Sequence, residues 1–201
     1  MRDTFKELRK KFKDNFKNHV VSYYDKGERL EHLIWRIPGS SNGYMEFIAC
    51  GGNLVVRGDY GDSIFEWYRR VDLKWIAGTD LSYFAEKCQA SEYGRDFKSW
   101  DSEQLREDIE ALLDEHSKNF EDYDHESPNE LRDKFEDVNG FDAVNGEFEW
   151  MVWLQDYGWE VFGDDWWEYV PMGKYLDTHC KLHWVGLKLA VEALEEKNNG
   201  E

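Results

Sequence analysis

Met45-Glu46-Phe47-Ile48-Ala49-Cys50-Gly51-Gly52-Asn53-Leu54-Val55-Val56-Arg57 decides the fold class. Two runs rich in β-branched and aromatic residues flank a pair of glycines. Glycine supplies the positive φ that a tight hairpin turn requires, so the stretch predicts two antiparallel strands joined by a two-residue loop. The run from Leu30 to Ile37 before it and Ile64 to Trp67 after it extend the hairpin to an antiparallel sheet of about four strands with short connections. Pro38-Gly39, Gly43, Gly58 and Gly61 punctuate the whole span from Val20 to Tyr68 as strand-and-turn sequence does.

Outward from the sheet the period changes to that of helices. Phe5, Leu8, Phe12 and Phe16 fall at spacings of three and four, the apolar face of an amphipathic helix docked on the core. After the sheet, Asp80 is placed to cap a helix over 80–90 whose face holds Leu81, Phe84, Ala85 and Cys88. Asp101 opens a helix with the stripe Leu105, Ile109, Leu112 and Leu113. Ser127-Pro128-Asn129-Glu130 reads as the start of another, with serine at the cap and proline at the first helical position. Phe141 to Phe162 and Leu176 to Glu196 read as two further helices. Helix, sheet, then helices is an α+β order rather than a doubly wound one. Residues 1–100 are expected to form a lobe of helix and sheet, and residues 101–201 an acidic helical lobe packed on it.

The 201-residue chain is 41% hydrophobic and 16% aromatic, enough apolar surface to form a core despite its charge. Its three cysteines, Cys50, Cys88 and Cys180, form no short-spaced motif, and the first seventeen residues are charged throughout, which points to a reducing cytoplasm. No run approaches the ~20 apolar residues of a membrane span. Charge is the most informative property. Residues 1–100 hold 17 Lys and Arg against 15 Asp and Glu, whereas residues 101–201 hold 8 against 28. Such asymmetry points to a charged partner or to self-association, with the basic first helix of one copy meeting the acidic half of another.

Signatures of catalysis are weak. His179 and His183 are spaced to share a helix face, but the glutamate of the zinc-protease pattern is missing, and no metal or cofactor is expected. Gly58-Asp59-Tyr60-Gly61-Asp62 offers two aspartates on a glycine-rich loop, for which the ordinary reading is a turn between strands. His32, Arg57, Asp59 and Asp62 are the candidates for a pocket at the sheet that binds or hydrolyses a nucleotide or another small phosphate ligand. No Gly-x-Ser-x-Gly elbow is present, and Cys88 is read as a buried hydrophobe. Enzymatic activity is not signalled.

Carboxylates are dense in the second half: Glu107, Asp108, Glu110, Asp114, Glu115, Glu121, Asp122, Asp124, Glu147, Glu149, Asp156, Glu160, Asp164, Asp165 and Glu168. Like charges on neighbouring helical turns repel, so something must favour them. Solubility, metal binding and imitation of nucleic-acid phosphates are the three explanations. The twelve-residue calcium-loop spacing is absent, which weakens the second. Trp150, Trp153, Trp159, Trp166, Trp167 and Trp184 imply that the region is packed, and any of these rings left exposed is a candidate anchor. Adjacent Trp166 and Trp167 point about 100° apart on a helix, so they cannot share one pocket.

Trp35-Arg36-x-Pro38-Gly39-Ser40-Ser41, Leu54-Val55-Val56-x-Gly58-Asp59-x-Gly61-Asp62 and Asp80-Leu81-x-Tyr83-Phe84-Ala85-x-Lys87, with Phe97 and Trp100-Asp101, resemble uncharacterised small proteins of phage and prophage genomes. The resemblance covers about residues 29–101 and implies a phage accessory gene acting in the cytoplasm of an infected bacterium. By analogy of composition the chain is similar to acidic phage inhibitors of host defence, of antirestriction or anti-CRISPR type. The expectation is a non-enzymatic protein that binds a host protein or ribonucleoprotein complex at its basic nucleic-acid channel. The carboxylates of Asp101 to Asp124 and Glu147 to Glu168, with Trp166 and Trp167, would form the contact, without direct binding of nucleic acid or membrane.

Overall fold

A computed structural model describes residues 4–92, 97–118, 127 and 129–199. The chain divides into two units, residues 1–98 with 176–201, and residues 99–175.

The first unit opens with α1 (Phe5–Lys11) and α2 (Lys13–Phe16). Thr4 and Glu7 form a reciprocal capping box that satisfies the first backbone donors of α1. Leu8, Phe12 and Phe16 are buried, as their spacing predicts. Six strands follow: β1 (Val20–Lys26), β2 (Leu30–Arg36), β3 (Met45–Cys50), β4 (Asn53–Gly58), β5 (Ser63–Glu66) and β6 (Cys88–Ser91). They form one antiparallel meander in sequence order. The central hairpin pairs Cys50 with Asn53 across Gly51-Gly52. Gly51 has φ +63°, and a Cβ on Gly52 would lie 2.2 Å from the Trp67 carbonyl oxygen, so the two glycines are needed for different reasons.

Alternation along the strands buries one face of the sheet: Leu33 and Trp35, Met45 and Phe47, Leu54 and Val56, and Phe65. Fully buried side chains of this size contribute about 1.5–3 kcal/mol each relative to exposure. Their cover comes mainly from the C-terminal helix, α10 (Thr178–Asn199), whose Cys180, Leu182, Trp184, Val185, Leu187 and Ala190 join the same core. Helix α10, read from sequence with the acidic half, therefore packs on the sheet. Gly186 admits Met45, whose Sδ would lie 2.7 Å from a Cβ there. Two short helices, α3 (Leu73–Ala77) and α4 (Leu81–Glu86), complete the unit. Asp72 and Asp80 cap them by accepting from the Trp75 and Tyr83 amides. The helix expected over 80–90 stops at Glu86, and Cys88 opens β6 instead.

In the second unit, α5 (Ser102–Lys118) is capped by Asp101, which accepts from the Gln104 amide. It is followed by α6 (Glu130–Asp137), α7 (Gly140–Ala143), α8 (Glu147–Phe162) and α9 (Trp166–Tyr169). Strands β7 (Lys98–Trp100) and β8 (Lys174–Leu176) pair as a separate two-stranded ladder. The single helix expected from Phe141 to Phe162 is broken at Val144–Gly146. Asn129, not Ser127, occupies the cap position of α6, and its side chain makes no capping bond. Pro128 lies outside the described residues. Leu105, Ile109 and Leu113 of α5 meet Phe135, Trp150, Trp153, Leu154 and Phe162 in a core of this unit's own.

Candidate protein interface

The division into units sharpens the charge asymmetry. Residues 99–175 hold 5 Lys and Arg against 23 Asp and Glu, and the remainder of the chain holds 20 of each. The net charge of −18 therefore belongs to the helical unit alone. Four of that unit's five cations are engaged within it. Arg132 pairs with Asp114 at 2.9 Å, Lys134 with Glu130 at 2.6 Å, and Lys174 with Glu147 at 2.7 Å. Arg106 donates to the Phe141 carbonyl at 2.8 Å and lies over that residue's ring.

On α5 the apolar stripe faces inward, and Glu103, Glu107, Glu110 and Asp114 follow i, i+4, i+7, i+11 along the exposed side. Glu115 is exposed beside this row. Asp108 is different: it accepts from the Tyr175 hydroxyl at 2.8 Å and from the Gln104 side-chain Nε2 at 3.0 Å, so it is tied into its own unit. Burial, and then the neighbouring Asp108 carboxylate, raise the Tyr175 phenol above its usual pKa. Glu121, Asp122 and Asp124 lie outside the described residues.

Helix α8 has no Lys or Arg and shows apolar side chains on two sides. Trp150, Trp153, Leu154, Val161 and Phe162 are buried. Phe148 and Trp159, at 75% and 68% exposure, lie with Val152 on the side opposite Trp150, Trp153, Leu154 and Val161. Glu149, Asp156 and Glu160 are exposed along one flank. Asp164 accepts a hydrogen bond from the Trp159 indole and fixes that ring at the end of the helix. Trp166 is half-buried against Gly158 and the helical core, whereas Trp167 is exposed. Asp165 and Glu168 are exposed beside them. Glu103, Phe148, Val152 and Trp159 complete the surface; Trp159 is one of the candidate anchor rings and is left exposed, whereas Val152 was not among the sequence candidates and only its helical spacing could have signalled it.

The residues expected at a sheet pocket lie close together on neighbouring strands and the turn that follows β4. His32 Nε2 lies 2.7 Å from Glu46, whose other carboxylate oxygen is 3.8 Å from Arg57, and Arg57 is 3.9 Å from Asp62. Asp59 and Asp62 accept from the Tyr44 and Gly58 amides, closing the glycine-rich segment as a turn. None of these residues lines the cavity of about 390 Å³ beside Glu31. Glu31 is itself buried and satisfied by Lys26 at 2.5 Å, the Tyr24 hydroxyl at 3.1 Å and the Leu73 amide at 2.7 Å, so it serves as an internal anchor for α3.

His183 is buried in the sheet unit. It donates from Nε2 to the Tyr60 carbonyl at 2.7 Å, which leaves Nδ1 to accept from the Ser63 hydroxyl at 3.0 Å. Burial lowers its pKa to about 4. With both nitrogens occupied it cannot pair with His179 over a metal, and His179 bonds Asp177 at 2.7 Å. Among the described residues no three His, Cys, Asp or Glu side chains are grouped to hold a metal ion. Nor, among them, is any helix long and apolar enough to cross a membrane.

Fold and surface together define an α+β chain with a charge-balanced sheet unit and an acidic, aromatic helical unit. No protein-family model, curated protein or solved structure matches it.

Proposed function

We propose that this chain is a phage accessory protein that inhibits a host defence complex by placing its acidic helical unit on that complex's basic nucleic-acid-binding surface. The supporting observation is the confinement of the whole net charge to residues 99–175, where most of the unit's cations are already engaged internally. The carboxylates of α5 and α8 supply long-range attraction for Lys and Arg, and the exposed aromatics supply short-range affinity. Nucleic acid and inhibitor would then compete for one surface.

The test is displacement of a fluorescent oligonucleotide from purified restriction and RNA-guided complexes. Displacement by the wild-type chain should weaken steeply between about 50 and 200 mM salt. Glu103→Gln/Glu107→Gln/Glu110→Gln should lose about tenfold in potency and show a shallower salt slope. Displacement that ignores ionic strength, or none from any complex, would count against the reading.

A further inference from the structure

Phe148, Val152, Gln155 and Trp159 succeed one another at spacings of four, three and four on the exposed side of α8. That is the d-a-d-a seam of two heptads, about 16 Å long at 1.5 Å per residue. The positions flanking it on one side are Glu149 and Asp156, both exposed; those on the other side are Met151, exposed, and Gly158, which is buried against the Trp166 ring. The helix does not need these seam residues for its own core, because a second apolar face, centred on Trp150, Trp153 and Leu154, is the buried one. Large apolar side chains held in solvent on a rigid element, beside a row of one sign of charge, are the features of a helix-on-helix docking site.

We infer that this side of α8 docks an amphipathic helix of a partner protein, with apolar seam residues and Lys or Arg along the flank that meets Glu149 and Asp156. Charge complementarity selects this occupant. The flank is acidic, α8 contains no cation to offset it, and a second acidic helix would be repelled. Gln155 inside the seam selects register, as a lone polar residue does in coiled coils. Two heptads give a short interface, so attraction by the surrounding carboxylates is needed to bring the partner in. The inference rests on the acidic-surface reading above and adds the kind of segment that is bound.

The probe is a lactam-bridged two-heptad helix with Leu at the seam and Lys at the flanks. Its control is a peptide of the same composition in shuffled order, with no seam. Binding to the full chain is read by anisotropy, and the Trp159 indole signal is followed by NMR. The seam peptide should bind at least about tenfold more tightly than the shuffled one and shift the Trp159 signal. Phe148→Ala/Trp159→Ala should abolish that advantage while leaving the melting temperature unchanged. Equal binding of the two peptides, or full binding by the double variant, would overturn the inference and leave the acidic-surface reading standing. If neither peptide binds at low salt, both are overturned.

Discussion

At the scale of single residues, His183 shows how a motif that looks chemical can be structural. Its Nε2 proton goes to a backbone carbonyl, which can only accept, so the tautomer is fixed and Ser63 must donate to Nδ1. Ser63 is 3% exposed, its proton is committed, and α10 is tied to the segment before β5. The pKa of about 4 against an ordinary 6.5 gives a testable pH dependence. The unfolded chain binds a proton that the folded one excludes, so the contribution is complete above pH 6.5 and is lost as pH falls toward 4. Its full size is on the order of 3 kcal/mol. In urea titrations between pH 7 and 4, His183→Gln should remove this part of the acid sensitivity while lowering stability at pH 7. Parallel pH profiles for the two proteins would refute the assignment.

At the scale of elements, the hairpin β3–β4 was legible because its turn chemistry and its alternation agree. Gly52→Ala should cost about 2–3 kcal/mol, since the added methyl meets the backbone of Trp67, which cannot retreat without breaking its bond to the Gly52 carbonyl. Gly51→Asn should cost less than half as much, because nothing lies within 4 Å of that Cβ and asparagine tolerates positive φ. Equal midpoints in urea for the two variants would show that the close approach is unimportant. Strands β1 and β6 were harder to read. Val20–Lys26 has only partial burial and a register shift near Val21, and Cys88–Ser91 follows a helical pattern so closely that Cys88 reads as its continuation. The break before α8 turns on Gly146, whose missing side chain leaves room for the Glu149 carboxylate to fold back over the helix start. Much of the interface was visible only as composition. Asp108 and Asp114 look like any other carboxylates in the sequence, and their partners Tyr175 and Arg132 lie 67 and 18 residues away. The exposed seam on α8 was hidden because its apolar residues interleave with those of the buried face, so the helix reads as hydrophobic all round.

At the scale of the whole molecule, sequence halves gave the sign of the asymmetry, but only the return of α10 to the sheet shows that one unit is electrically balanced and the other carries all −18 charges. A surplus of this kind destabilises the structure that holds it. Carboxylates at i, i+3 and i+4 on α5 rise only about 4.5–6 Å from one to the next along the axis. That separation is well inside the Debye length of about 30 Å at 0.01 M salt but exceeds the roughly 3 Å at 1 M. Added NaCl should therefore raise the melting temperature, by about 2–4 °C for each kcal/mol of repulsion relieved. The gain should also be local. Hydrogen exchange should show amide protection rising with salt in α5 and α8 and holding constant in β3 and β4, where the surrounding unit has as many cations as anions. Uniform protection across both units, or a melting temperature that falls with salt, would mean that the surface carboxylates are already compensated within the fold, and the case for an acidic surface kept for a basic partner would lose its energetic basis.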